Sequence, residues 1–482
     1  MALTSPLVLA IDQGTTGTTC LVVGEDLRTR GRGYREVPQH FPRPGWVEHD
    51  PEELWGSVLG AAEDGLREAG AEASDLVAVG ISNQRETTVV WERQNGRPVH
   101  RAIVWQDRRT AERCRELPAD LLRNRTGLVP DPYFSATKLE WLLSGRETAG
   151  LAFGTVDSWL VWKLTSGGVH VTDVSNASRT LLFDLRRLRW DAELLELFGV
   201  PAAVLPQIVP SSGIVAEADL LGARLPIAGI AGDQQAALFG QGCLSPGQAK
   251  VTYGTGSFVL VNAGADPGEP RDGLVQTVAW QLGDEEATYA LEGSIFVTGA
   301  ALQWLRDGLG LLGSAAESEA LARAVESAEG VYFVPALAGL GSPYWAPEAR
   351  GLVSGIHRGT QREHLVRAAL EAIAFQVCDV LAAMGVDLEL LRADGGGADN
   401  AFLLQLQADL AGIPVEVPVE RDATALGAAA LAGLGVGLRS GAEEIGAARR
   451  IGARYEPELD PAEAERLLAG WHAAVSRALL PG

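Results

Sequence analysis

The sequence predicts an α/β fold of two related halves with an anion-binding cleft between them. Three observations carry this expectation. A glycine/threonine loop occurs twice, as Asp12-Gln13-Gly14-Thr15-Thr16-Gly17-Thr18 and as Tyr253-Gly254-Thr255-Gly256-Ser257. Each loop has an apolar, β-branched run on both sides, which is the pattern of strand, tight turn, strand. After each loop the same order follows: third strand, helix, strand. A P-loop would run from strand to helix and close on Gly-Lys-Ser/Thr, and neither loop does. Small residues at a hairpin tip let backbone N–H and hydroxyl groups approach an anion closely. Two such tips, one per half, point to a phosphate chain held between them.

The elements follow in order. Strands are expected at 7–12, 18–24 and about 31–40. A helix then starts at Pro51, with Asp50 as N-cap, and Leu54, Val58, Leu59, Ala62 and Leu66 recur at helical spacing as far as Gly70. The continuous apolar run 76–82 reads as a buried parallel strand, and a short β run covers 87–91. In the second half strands are expected at 248–253, 257–262 and 274–281, with a helix at 293–309 and a strand at 331–334. A long helix spans 360–385, with Thr360 and Glu363 as its capping box. A strand ending at Asp394 meets Gly395-Gly396-Gly397 and another helix. The Ala/Gly-rich stretch 423–438 is too short and too small in its side chains for a membrane span; it reads as a helix packed closely on a sheet. The halves divide near 240–250, giving domains 1–245 and 246–482, with no low-complexity linker. Residues 100–150 and 160–215 fit the repeat poorly and read as insertions on the first domain.

Composition narrows the function. The chain has 482 residues, long enough for two or three domains, with 46% hydrophobic and 21% charged residues, as in an ordinary globular protein. A net charge of −22 argues against broad electrostatic binding to nucleic acid or anionic lipid. Only Lys138, Lys163 and Lys250 are lysines, so most positive charge is Arg. Cys20, Cys114, Cys243 and Cys378 have neither metal-ligand spacing nor a disulfide pattern, and read as free buried thiols. Met1-Ala2-Leu3-Thr4-Ser5-Pro6 lacks the basic and apolar regions of a signal peptide. The expectation is a cytoplasmic protein without stable membrane insertion.

Several polar groups stand at expected strand ends, where ligands bind in open α/β sheets. Asp12 precedes the first loop: either it caps its own tight turn, or a hard cation such as Mg²⁺ bridges it to phosphate. Asp233 ends the run 227–232: either it N-caps the next helix, or it accepts a proton from a substrate hydroxyl. Arg85-Glu86 is either a surface ion pair or a bracket for a polyol. Trp105 and Tyr133 could supply an apolar wall and a phenolic hydroxyl, although either alone is more often packing. Asp394-Gly395-Gly396-Gly397 offers a glycine turn at a helix start, where a nucleotide can approach.

Two longer stretches, Tyr133-Phe134-Ser135-Ala136-Thr137-Lys138-Leu139-Glu140-Trp141-Leu142 and 351–371, resemble signatures of the FGGY carbohydrate kinases, within the actin/hexokinase/Hsp70-like superfamily. Pro44-Gly45-Trp46-Val47-Glu48-His49-Asp50-Pro51, Asn83-Gln84-Arg85-Glu86-Thr87-Thr88, 232–240 and Gly339-Leu340-Gly341-Ser342-Pro343-Tyr344-Trp345 are most similar to the members that phosphorylate glycerol. The resemblance runs over nearly the whole chain. It implies two ribonuclease H-like domains with the nucleotide between them, and transfer of the ATP γ-phosphoryl group to glycerol, giving sn-glycerol 3-phosphate. Another polyol or a ketose, such as dihydroxyacetone or a pentulose, is the alternative acceptor. An assembly protein of the same superfamily would keep the phosphate loops without the polyol set.

Residue by residue, the resemblance implies that Arg85, Glu86, Tyr133, Asp233 and Gln234 bind glycerol, with Trp105 and Phe258 as the apolar wall. Asp233 matches the catalytic base and Asp12 the Mg²⁺-associated carboxylate, with contact through water. Thr15, Thr16, Gly17 and Thr255 match phosphate-contacting loops; Gly299, Gln303, Gly396 and Asn400 match the rest of the nucleotide site. The resemblance further implies a homodimer or homotetramer. Gly222 and Arg224 match a loop that binds fructose 1,6-bisphosphate in some members. Other members are activated by phosphorylation of a His in this region; no His lies between Ser211 and Gly232, so that mechanism is expected to be absent. Some members also carry an Arg where this chain has Thr19, which leaves Mg²⁺ and the loops more phosphate charge to neutralise.

Overall fold

A computed structural model describes residues 6–480. Residues 1–5, on which most of the signal-peptide reading rests, lie outside it. Two sheets organise the chain. The first contains β1 (Leu7–Gln13), β2 (Gly17–Gly24), β3 (Thr29–Glu36), β4 (Leu76–Asn83), β5 (Ser212–Leu220) and β6 (Ala223–Gly232), in the order β5-β6-β4-β1-β2-β3. The second contains β7 (Ala249–Tyr253), β8 (Ser257–Gly264), β9 (Val275–Trp280), β10 (Thr288–Ile295), β11 (Leu391–Asp394), β12 (Val415–Pro418) and β13 (Ile451–Tyr455), in the order β9-β10-β8-β7-β11-β12-β13. The central pattern is shared. β1 and β7 each form a hairpin with the next strand and pair in parallel with β4 and β11 on the other side.

The helices that bear on the site are α1 (Pro51–Ala69), α2 (Ser135–Leu143), α3 (Asp233–Gly240), α4 (Gly299–Asp307), α5 (Arg362–Met384), α6 (Ala401–Ala411) and α7 (Ala423–Gly435). Asp50 caps α1 by accepting from Glu52 N–H, and Gly70 ends it in the left-handed region. Strand alternation sends β1 side chains to opposite faces. Leu7, Leu9 and Ile11 pack with Leu54, Val58 and Ala62 of α1, while Val8 and Ala10 pack with Ala425, Ala428 and Ala429 of α7. Burying one such leucine or valine contributes about 1.5–3 kcal/mol.

The small side chains of α7 have a packing reason. A Cβ on Gly427 would collide with the backbone carbonyl oxygen of Ala236 in α3, and one on Gly80 with that of Ala428. Helix and sheet therefore approach backbone to backbone. Although α7 lies late in the chain, it covers β1, β4 and β6 of the first sheet, so the two halves share packing.

The strand expected at 274–281 is β9 at the sheet edge, with β10 between it and β8. The structure corrects two local expectations. The helix expected at 293–309 begins only at Gly299, because 288–295 continues the sheet. Leu291 and Ile295 stand four apart and mimic a helical face in sequence, but β pairing on both sides of this segment wins. The long helix is capped one residue later than expected, by Gln361 and His364 rather than Thr360 and Glu363. The poorly repeating segments build a core of their own from Phe134, Leu139, Leu181, Leu194 and Phe198, with Trp105 and Phe258 packed against it.

Candidate active site

The topology explains why distant residues converge. β1, β4 and β6 run parallel, so their C-terminal ends share one edge of the sheet. That edge carries Asp12 and the first loop, Arg85-Glu86, and Asp233. In the second sheet β7 and β11 are parallel, and their ends carry Gly254-Thr255 and the Asp394 glycine turn.

At the first of the two ends, Arg85 and Glu86 are about 2% and 1% exposed, which overturns the surface-pair reading. The Arg85 guanidinium lies 3.0 Å from an Asp233 oxygen through Nε, and 2.5 and 3.0 Å from the two Glu292 oxygens. It also donates to the Tyr133 hydroxyl at 3.2 Å. Arg179 donates to Glu86 at 2.6 Å and to Glu292 at 2.9 Å. Burial alone would raise the Glu292 carboxyl, but Arg179 and Arg85 outweigh it and hold the group down at about 2. Glu86 moves the other way: burial raises it, against the pull of Arg179 and Arg85. Burial likewise pushes the Tyr133 phenol well above its ordinary range.

The backbone at this point is strained. Glu86 sits at φ +61° in a three-residue turn closed by Thr87 N–H donating to Arg85 C=O at 2.7 Å. A bulky residue in that region costs about 1–3 kcal/mol and persists where packing over-determines it. Asp233 opens α3 rather than capping it: Gly232 holds the cap position. Its side chain is 28% exposed, and one oxygen accepts from Gln234 N–H at 2.7 Å. Gln234 Nε2 donates to the other oxygen at 3.2 Å.

Rings wall this end. Trp105 meets Tyr133 edge-on at 5.5 Å and Phe258 at 6.3 Å, and the Arg85 guanidinium lies 5.6 Å from the Phe258 centroid. Trp105 Nε1 donates to Thr15 Oγ1 at 2.9 Å, which links the wall to the first loop. That loop closes through Gly14 N–H to Gly17 C=O at 3.0 Å, and Thr16 is exposed at its tip. Asp12 is half-buried. Burial, then the Asp233 and Asp422 carboxylates, raise it to about 8. Thr19 faces Asp12 in the hairpin register, so an Arg there would stand beside that carboxylate.

The other end is a cavity of about 540 Å³ whose lining includes Thr255, Gly299, Gln303, Gly396 and Asn400, the five second-half residues expected at a nucleotide; Phe258, the sixth expected second-half residue, lies at the first end. It is built largely of backbone and small side chains. A Cβ on Gly299 would lie 2.7 Å from the carbonyl oxygen of Gly254. Asn400 caps α6 by accepting from Leu403 N–H at 3.0 Å.

Gly222 and Arg224 are not brought to either end. Gly222 lies in the turn between β5 and β6 and Arg224 near the start of β6, at the strand end opposite Asp233, where Arg224 pairs with Glu217. Sequence reasoning missed Arg179 and Glu292. The available signal was a lone carboxylate inside the apolar run Ala290-Leu291-Glu292, which a buried strand tolerates only when paired.

Residues 7–240 match the model of the FGGY family of carbohydrate kinases, N-terminal domain, and residues 249–436 match that of its C-terminal domain. A glycerol kinase of Dechloromonas aromatica is 55% identical over 98% of this chain and 97% of its own length. Glycerol kinase 2 of Thermotoga maritima is 52% identical over 98% of each chain. The structure of Plasmodium falciparum glycerol kinase with ADP superposes with a TM-score of 0.91 at 33% identity over 99% of both chains. A ligand-bound xylulose kinase of Lactobacillus acidophilus shares the fold, with a TM-score of 0.87 at 21% identity. By its architecture, its family models and these full-length relatives, the chain belongs to the FGGY family of carbohydrate kinases.

Proposed function

We propose that this chain transfers the γ-phosphoryl group of ATP to glycerol, giving sn-glycerol 3-phosphate in glycerol catabolism. The observation that carries the reading is the Asp233 carboxylate, held by Arg85 and Gln234 beside Glu86, Tyr133, Trp105 and Phe258. This set offers several polar partners for three hydroxyls and rings for the carbon backbone. Asp233 accepts the proton of the terminal hydroxyl as that oxygen bonds to the γ-phosphorus; the bond to the β–γ bridging oxygen breaks and ADP leaves. Arg85 and Glu86 orient the other hydroxyls. Thr15, Thr16, Gly17 and Thr255 contact the phosphates, and Gly299, Gln303, Gly396 and Asn400 receive the rest of the nucleotide.

Mg²⁺ fits beside Asp12, whose carboxyl is pressed by two neighbouring carboxylates. Among the described residues no group of three or more His, Cys, Asp or Glu is placed to hold a metal alone, so Asp12 would hold the ion together with water and substrate oxygens. When bound, the ion neutralises phosphate charge. In this reading residues 1–245 carry the acceptor set apart from Phe258, and 246–482 the adenosine site. The reading includes a cytoplasmic homodimer or homotetramer; the four buried free thiols support a reducing compartment. No helix among the described residues is long and apolar enough to cross a membrane. The test is incubation with ATP, Mg²⁺ and glycerol: stoichiometric ADP and glycerol 3-phosphate support the reading, and ADP without phosphorylated glycerol overturns it.

A further inference from the structure

Lys250 on β7 is fully buried, yet it has no carboxylate within ion-pair distance among the described residues. A buried ammonium without a direct counter-charge is costly to keep. Its ammonium instead donates to two neutral acceptors in an ordered chain. Lys250 Nζ donates to Gln234 Oε1 and, at 2.7 Å, to Thr252 Oγ1. Thr252 Oγ1 donates in turn to Asp394 Oδ1, and Asp394 Oδ2 accepts from Gln241 at 2.8 Å. Asp394 ends β11 and leads directly into Gly395-Gly396-Gly397, of which Gly396 and Gly397 line the nucleotide cavity.

The polarity of this chain is fixed by chemistry. An ammonium only donates and a carboxylate only accepts. The Gln234 amide therefore has to present Oε1 to Lys250 and Nε2 to Asp233. Without Lys250 the amide can flip and place its oxygen against the Asp233 carboxylate. The other charges that act on Lys250 are Asp394, Asp233, Arg85 and Glu292.

We infer that Lys250 is a positioning residue that fixes the Gln234 amide against Asp233 and ties both to the glycine turn of the nucleotide cavity. The inference rests on the reading of Asp233 and Gln234 as acceptor-site residues. It makes nucleotide and acceptor binding mutually dependent through Asp394, Thr252, Lys250, Gln234 and Asp233.

The experiment measures glycerol affinity by calorimetry with and without a non-hydrolysable ATP analogue and Mg²⁺. It also measures kcat and KM for wild type, Lys250→Met, Thr252→Val, Gln234→Leu and the Lys250→Met/Gln234→Leu double variant, with thermal melts as the folding check. Wild type is expected to bind glycerol at least about 5-fold more tightly with the analogue present. That ratio falls below about 2-fold in Lys250→Met and also drops in Thr252→Val, which keeps the buried charge and carries the test if Lys250→Met does not fold. The kcat losses of Lys250→Met and Gln234→Leu are non-additive, because one residue acts through the other. Wild type that phosphorylates no glycerol overturns the acceptor reading itself. With glycerol turnover intact, an unchanged affinity ratio in folded variants, or additive kcat losses, overturns the role of Lys250 alone.

Discussion

At the proposed acceptor end, Arg85, Arg179, Glu86 and Glu292 are buried and paired with one another; the proposed nucleotide end is an open cavity edged by glycines and hydroxyls. The first end obtains specificity from charges whose positions are fixed before substrate arrives. The second obtains close approach from missing side chains. A buried charge pair loses much when one partner is removed, whereas a glycine surface loses when something is added. Each end should therefore fail in its own way.

The largest effect belongs to the group proposed as the base. Asp233→Asn should lower kcat by about 10²–10⁴-fold while glycerol binding, read by calorimetry, is largely kept. Unchanged turnover removes Asp233 as the base. Next, Gly299→Val adds atoms where a Cβ already meets the Gly254 carbonyl oxygen at 2.7 Å. The ATP KM should rise by about 10-fold or more, with glycerol KM little changed; an equal rise in both would show that the two ends are not separable. Phe258→Ala removes a ring from the acceptor wall and should cost about 10-fold in kcat/KM for glycerol. Retained kcat/KM would make that ring ordinary packing.

The smallest effect is on stability. Glu292 titrates at about 2 in the folded chain, below its ordinary 4.5. A depressed carboxyl contributes stability that is present above its unfolded value and is lost as pH falls through the folded one. The Tm gap between wild type and Glu292→Gln should therefore narrow by a few degrees as the pH falls from about 5 toward 2. A gap independent of pH would contradict the ion-pair account.

Legibility in sequence followed the same division. The hairpin loops, β1, β4, α1 and the small-residue helix α7 were readable because local pattern and tertiary role agree: apolar runs are buried, and an alanine/glycine helix lies on a sheet. The second-half residues lining the cavity were reached through motif resemblance, since a glycine states its own requirement for space. The acceptor end was only half legible. Arg85, Glu86 and Asp233 sit at strand ends, where topology gathers ligand groups, but Arg179 follows a short helix and Glu292 lies within β10. Their partners are 93–207 residues apart in sequence, so no local pattern marks them. β10 itself was obscured because Leu291 and Ile295 imitate helical spacing.

The most direct test of the central claim is kcat/KM for ATP-dependent phosphorylation across glycerol, dihydroxyacetone, pentuloses and hexuloses. The account predicts glycerol as the best acceptor, because Asp233, Arg85 and Glu86 meet hydroxyls inside a close aromatic wall. A ketose that exceeds glycerol would contradict it.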